Sequence, residues 1–167
     1  MADMANKIAW RRDLGLAMLA ILSVTTASVV GQVATFPNLA PWYAGLAKPS
    51  FNPPNWIFAP VWTTLFMLMA FSVWRILRLS TSISGRRRAL ILFFIQLVLN
   101  ASWSWMFFAA NNPLFGLINI VPQFLVILVT VHAFYRLDRL AAWGLIPLAA
   151  WAAFASVLNF AIWQLNG

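Results

Sequence analysis

A chain of 167 residues with 63% apolar and only 8% charged side chains cannot cover a soluble surface, which takes roughly a quarter of its residues as charges. Its solvent must be lipid, and a single membrane domain over residues 1–167 is expected. The net charge of +8 falls in short clusters between apolar runs, which excludes the continuous basic face of a nucleic-acid binder, and the absence of cysteine excludes disulfides, thiolate chemistry and Cys-based metal sites.

Five stretches reach the roughly 20 apolar residues that a spanning helix needs. None shows the strict alternation of a β-barrel strand. The expected fold class is therefore an all-α integral membrane protein, a bundle of five transmembrane helices. The first span, 14–35, holds no charge. Lys7, Arg11 and Arg12 ahead of it resemble the start of a signal peptide, but the apolar run exceeds an h-region and no small-residue cleavage site closes it. A retained helix is expected. Ser23, Ala27 and Gly31 recur every four residues and suit close helix packing. The connection 36–55 carries Pro37, Pro41, Pro49, Pro53 and Pro54. Proline fixes φ and removes a donor, so this segment reads as a stiff, non-helical loop. Ordered loops of this length are more often functional than idle.

The second span, 56–79, ends on Arg75 and Arg78 and carries an apolar stripe of Trp62, Phe66 and Met69. In the third, 89–110, Gln96, Asn100, Trp103 and Phe107 fall on one helical stripe. An amide facing lipid is left unsatisfied, so Gln96 and Asn100 should face inward. There they serve either as glue between helices or as polar anchors in a ligand wall. Asn111-Asn112-Pro113 is a tight turn that makes the third and fourth spans antiparallel neighbours. The fourth span, 114–135, contains Pro122, which should kink it unless a neighbour compensates. His132, the one histidine, lies near its end and reads as interfacial rather than haem-ligating. The fifth span, 140–165, has Pro147 in its first turns. Trp151, Ala155, Leu158 and Asn159 share a face there, a large ring beside a small residue.

Every cation except Lys48 falls on one side of these spans: Lys7, Arg11 and Arg12, then Arg75, Arg78 and Arg86–Arg88, then Arg136 and Arg139. The positive-inside rule makes the N-terminus of this multi-pass protein cytoplasmic and sends the C-terminus across the membrane. Asp3, Asp13 and Asp138 lie outside the spans, and Asp138 is expected to pair locally with Arg136 or Arg139. No carboxylate pair is available for acid–base work and no residue cluster for a metal, so neither cofactor nor metal is expected. What remains is an uncharged, Trp-rich interior under a proline-stiffened lid. That suits a large, flat, apolar ligand with a few polar groups, such as a tetrapyrrole or a sterol.

The same residues carry a resemblance. The run Trp42-Tyr43-Ala44-Gly45-Leu46-Ala47-Lys48-Pro49-Ser50-Phe51-Asn52-Pro53-Pro54-Asn55-Trp56-Ile57-Phe58-Ala59-Pro60-Val61-Trp62 closely resembles the signature of the TspO/translocator protein family, also known as tryptophan-rich sensory proteins or peripheral-type benzodiazepine receptors. Asn100–Phe108 is similar to that family's third-helix motif, and Pro147–Asn159 to its fifth. The resemblance covers nearly the whole chain. It implies a five-helix homodimer-forming protein with a cavity beneath the first loop that binds porphyrins such as protoporphyrin IX. Trp62 and Trp151 match tryptophans implicated in light-dependent porphyrin degradation by some bacterial members. Asn100, Trp103, Ala155 and Leu158 match other pocket positions, and Trp42 and Tyr43 match the lid. The helical stripe adds Phe66.

The sequence also departs from the family pattern. Leu148 stands where the family often has Tyr, and Trp105 where it often has Pro. Phe160 and Gln164 replace the Tyr and Arg of the cholesterol-associated stretch, so cholesterol specificity is not implied. Val131, Tyr135 and Arg139 meet a looser cholesterol pattern by spacing alone. The expected function is a membrane receptor or sensor that binds porphyrin. A tetrapyrrole, lipid or sterol transporter and a light-dependent porphyrin-degrading enzyme are the alternatives.

Overall fold

The computed structural model describes the backbone of residues 2–167 and the side chains of residues 9–167, so the side chains of Asp3 and Lys7 lie outside the described residues. Six helices follow one another: α1 Ala2–Leu39, α2 Asn55–Arg78, α3 Arg86–Ser104, α4 Pro113–Tyr135, α5 Arg139–Trp143 and α6 Ile146–Asn166. Among the described residues there is no strand. Five segments are long and apolar enough to cross a membrane: Ala9–Leu39, Asn55–Arg78, Arg86–Ala109, Pro113–Tyr135 and Arg139–Asn166. The five-span expectation holds.

Around the bundle, α1 packs on α2 and α3, α3 on α4, and α4 on α6, while α2 closes the ring mainly against the short α5. A seam is left between α2 and α6. Of the Ser23, Ala27 and Gly31 stripe on α1, Gly31 is buried while Ser23 and Ala27 are half-buried. Ala20, Val24 and Ala34 are buried, and a Cβ on Gly31 would lie 3.2 Å from Ser104 Oγ of α3. Met69, Val73 and Ile76 of α2 meet Phe93 of α3 and Phe134 of α4 in the centre, where Phe93 stacks on Phe134 at 5.9 Å. Leu22, Val33, Met67 and Val98 are each more than half exposed. Such an apolar exterior is stable only against acyl chains, and between helices in lipid the gain is packing and hydrogen bonding rather than water release.

Four expectations need correction. First, α1 runs through Pro37 to Leu39, so the non-helical lid begins near Ala40 rather than at Phe36. Pro37 lacks the N–H that would bond the carbonyl four residues back, and its ring crowds that carbonyl; the helix ends two residues later, so the disturbance is confined to its end. Second, the fifth span is broken at Gly144 and Leu145 into α5 and α6. Pro147 has no N–H to continue the first helix and sits well in the opening turn of the second. Gly144 permits the close approach of α5 to α2, since a Cβ there would collide with Ser72 Oγ.

Third, α3 gives way to a π-helical turn over Trp105–Ala109, closed by Ala110 N–H to Trp105 O at 2.9 Å. The additional residue in that turn buries both Phe107 and Phe108. Fourth, Asp138 does not pair within its own turn. It caps α5 through Ala141 N–H at 3.1 Å and accepts from Arg75 Nε of α2 at 2.8 Å. Burial alone would raise the Asp138 carboxyl, but these hydrogen bonds and the Arg75 charge outweigh it and hold it below its usual range.

The charged end of the bundle is held by similar contacts. Arg78 pairs with Asp13 of α1 at 2.8 Å. Arg86 donates to the Ile76 and Leu77 carbonyls at 3.2 and 3.0 Å, placing a cation on the negative end of α2. Helix α4 continues through Pro122, whose ring faces outward. Asn111 adopts φ 51°, a conformation asparagine tolerates. Asn112 Oδ1 caps α4 by accepting from Leu114 N–H at 2.9 Å. His132 is exposed. No cluster of three or more His, Asp or Glu side chains occurs among the described residues.

Candidate functional site

The lid is fastened at both ends of its 3-10 turn, Tyr43–Gly45. The buried Tyr43 hydroxyl donates to Asn52 Oδ1 at 3.3 Å. Burial raises this phenol's pKa, and the Asn52 bond offsets part of the rise. Lys48 lies 4.6 Å from the centre of the Tyr43 ring and donates to the Leu46 carbonyl at 3.0 Å. Beyond it, Ala47 N–H donates to Asn166 Oδ1 while Asn166 Nδ2 returns a bond to Ala47 O, each at 2.9 Å. That amide pair straps the lid to the end of α6.

Beneath the lid, the predicted residues Trp42, Tyr43, Trp103 and Leu158 come together around Phe107 and Phe108. Trp103 stacks on Phe107 at 5.0 Å. Trp42 meets Phe107 edge-on at 5.3 Å, and Tyr43 meets Phe108 at 5.5 Å. Trp103 Nε1 donates to Asn159 Oδ1 at 3.1 Å, and Asn159 Nδ2 donates to Pro113 O at 2.7 Å. One buried amide therefore ties α3, α4 and α6 together. These rings pack against one another directly under the lid.

The open volume lies to one side. A cleft of about 540 Å³ runs down the seam between α2 and α6, walled by Pro60, Val61, Thr64 and Leu65 on one side and Pro147, Ala150, Trp151 and Phe154 on the other. Trp151 sits edge-on to Phe58 at 5.9 Å and close to Phe154 at 5.5 Å. Phe51 of the lid packs on Phe154, one of the wall residues, at 6.4 Å. The Thr64 hydroxyl is satisfied by its own helix, at Pro60 O, so the wall is uncharged and nearly apolar. The structure does not bring Trp62 into that wall. Trp62 pairs with Phe66 at 5.4 Å, and both pack on the central core. Ala155 is half-buried.

Asn100 belongs to a third group. It is buried, as are Gln96 below it and Asn119 and Gln123 on α4. With Phe107 against Gly116, seven residues back along α3 and seven forward along the antiparallel α4 set Asn100 level with Gln123. Asn100 Nδ2, Gln96 Oε1, Asn119 Oδ1 and Gln123 Oε1 have no hydrogen-bond partner among the described residues. Asn119 and Gln123 repeat the four-residue spacing of Gln96 and Asn100, a signal that sequence reading passed over. Phe108 had no such signal, because it turns inward only through the π-turn.

Comparison with known proteins agrees with this architecture. Residues 17–164 match the TspO/MBR family. The Tryptophan-rich protein TspO of Chlorobaculum tepidum is 44% identical over 131 residues, covering 78% of this chain and 83% of its own. That of Archaeoglobus fulgidus is 38% identical over 146 residues, or 87% and 94% of the two chains. The Translocator protein of Homo sapiens is 37% identical over 131 residues, 75% of each chain. With five spans, a lid strapped to the last helix and a match over most of its length, the chain belongs to the TspO/MBR family of membrane proteins.

Proposed function

We propose that the protein is a membrane receptor or sensor for a porphyrin-like tetrapyrrole, with its arginine-rich end and N-terminus in the cytoplasm. The observation that carries the reading is Trp151, half-buried in an uncharged cleft of about 540 Å³, within the roughly 300–1,000 Å³ typical of small-molecule sites. A flat macrocycle finds aromatic surface there from Trp151 and Phe154. Pro60 and Pro147 keep the walls rigid, so little order has to be imposed on binding. The seam opens sideways between α2 and α6, so an apolar ligand enters from the bilayer. The Trp103, Phe107 and Trp42 rings, packed against one another under the lid, back the cleft rather than line it.

Titrating the purified protein with protoporphyrin IX tests this. Tryptophan fluorescence should quench saturably. Trp151→Ala should weaken the apparent affinity by about tenfold, the equivalent of one aromatic contact at the upper end of its range. Linear quenching without saturation, the same in wild type and variant, would exclude the site.

A further inference from the structure

We propose that the outer face of α3 holds one anionic phospholipid. A groove of about 720 Å³ lies there, outside the bundle and at the end opposite the lid. Thr81, Arg86 and Arg87 line its head, and Ile91, Phe94 and Val98 line its length. From Leu90 to Leu99 the helix rises about 14 Å, close to the roughly 15 Å that half of the bilayer's hydrocarbon core measures. The apolar part of the groove thus accommodates one acyl chain through one leaflet.

The head of the groove carries charge without compensation. Arg75 and Arg78 pair with the Asp138 and Asp13 carboxylates. Arg86 is committed to the end of α2. Arg87, which lines the groove, and Arg88, which follows it in the chain outside that lining, are exposed and have no ion-pair partner among the described residues. They also open a helix, where the backbone dipole is itself positive and a cation is repelled. A phosphate in this position relieves both sources of positive charge. A soluble anion would leave the apolar length empty, and a neutral lipid would leave the arginines uncompensated. Only a molecule with a negative head and an acyl tail meets both demands.

Native mass spectrometry of the full chain in detergent, with equimolar phosphatidylglycerol and phosphatidylcholine, provides the test. Wild type should retain one phosphatidylglycerol in preference. Removing the charges with Arg87→Gln and Arg88→Gln should lower retention by roughly fivefold for each arginine, whereas Arg87→Lys with Arg88→Lys should preserve it. Ile91→Trp, which fills the groove and leaves every charge in place, should also reduce retention. Inorganic phosphate should not displace the lipid. Each variant is first required to elute as a monodisperse, helical protein. Equal retention of the two lipids, indifference to the glutamine pair, or displacement by phosphate alone would overturn the proposal. So would Val98→Cys, in this chain that has no other cysteine, if it cross-linked two copies across the groove with lipid excluded.

Discussion

Asn159→Leu removes a side chain that joins three helices beneath the lid. It deletes the bond from Trp103 Nε1 at 3.1 Å and the bond to Pro113 O at 2.7 Å, at a position with 2% exposure. Interhelical hydrogen bonds in membrane bundles average about 0.6 kcal/mol and reach about 1.7, so the pair accounts for roughly 1–3 kcal/mol of stability. Leucine is similar in shape, so little of the loss comes from a cavity. Reversible unfolding of the protein in mixed micelles titrated with SDS reads the difference directly. A double-mutant cycle with Trp103→Phe isolates the indole bond, and the coupling energy should be about 0.6–1.7 kcal/mol. Stability equal to wild type in Asn159→Leu, or a coupling energy of zero, would refute the claim that this amide holds the aromatic stack in register.

Two further outcomes follow from the contacts at either end of the bundle. Asp138 has a folded pKa below its unfolded value, so its stabilisation is complete above the unfolded value of about 3.9 and is lost as pH falls through the folded one. The stability gap between wild type and Asp138→Asn should therefore be flat from about pH 8 to 5 and close below about pH 4. Asparagine is itself a good cap, so the gap reports the Arg75 pair, and a gap unchanged at low pH would contradict that pairing. At the other end, Asn166→Ala releases both bonds to Ala47. Hydrogen exchange across residues 46–52 should accelerate by about tenfold, as expected from two bonds of roughly 0.5–1.5 kcal/mol each, while α2 is unaffected. An unchanged rate in the lid would mean that aromatic packing alone holds it closed.

Much of the fold was legible residue by residue. The five apolar runs and their arginine-flanked ends follow from hydropathy, because a backbone in lipid must satisfy its own hydrogen bonds and has only helices or closed barrels to choose from. The stripe through Gln96, Asn100 and Trp103 was readable because helical periodicity is a local property. The same locality explains what was missed. The π-turn that buries Phe108 depends on how α3 meets α1 and α4. The need for Gly144, where α5 approaches α2, depends on Ser72, more than seventy positions away in the chain. Asp138 finds Arg75 rather than its sequence neighbours because α5 packs on α2.

The sequence by itself determined that this is a five-span membrane protein with inward amides, aromatic stripes and a rigid lid, since each of these follows from spacing and composition within a single segment. Only the tertiary structure decided where those stripes meet. It closed the aromatic residues under the lid upon one another and left Trp62 outside the cleft that Trp151 lines. The vacancy lies at the seam between α2 and α6. The physical reason is that empty space in a bundle is set by the distance between helices, and that distance depends on side chains from different segments touching across the interior.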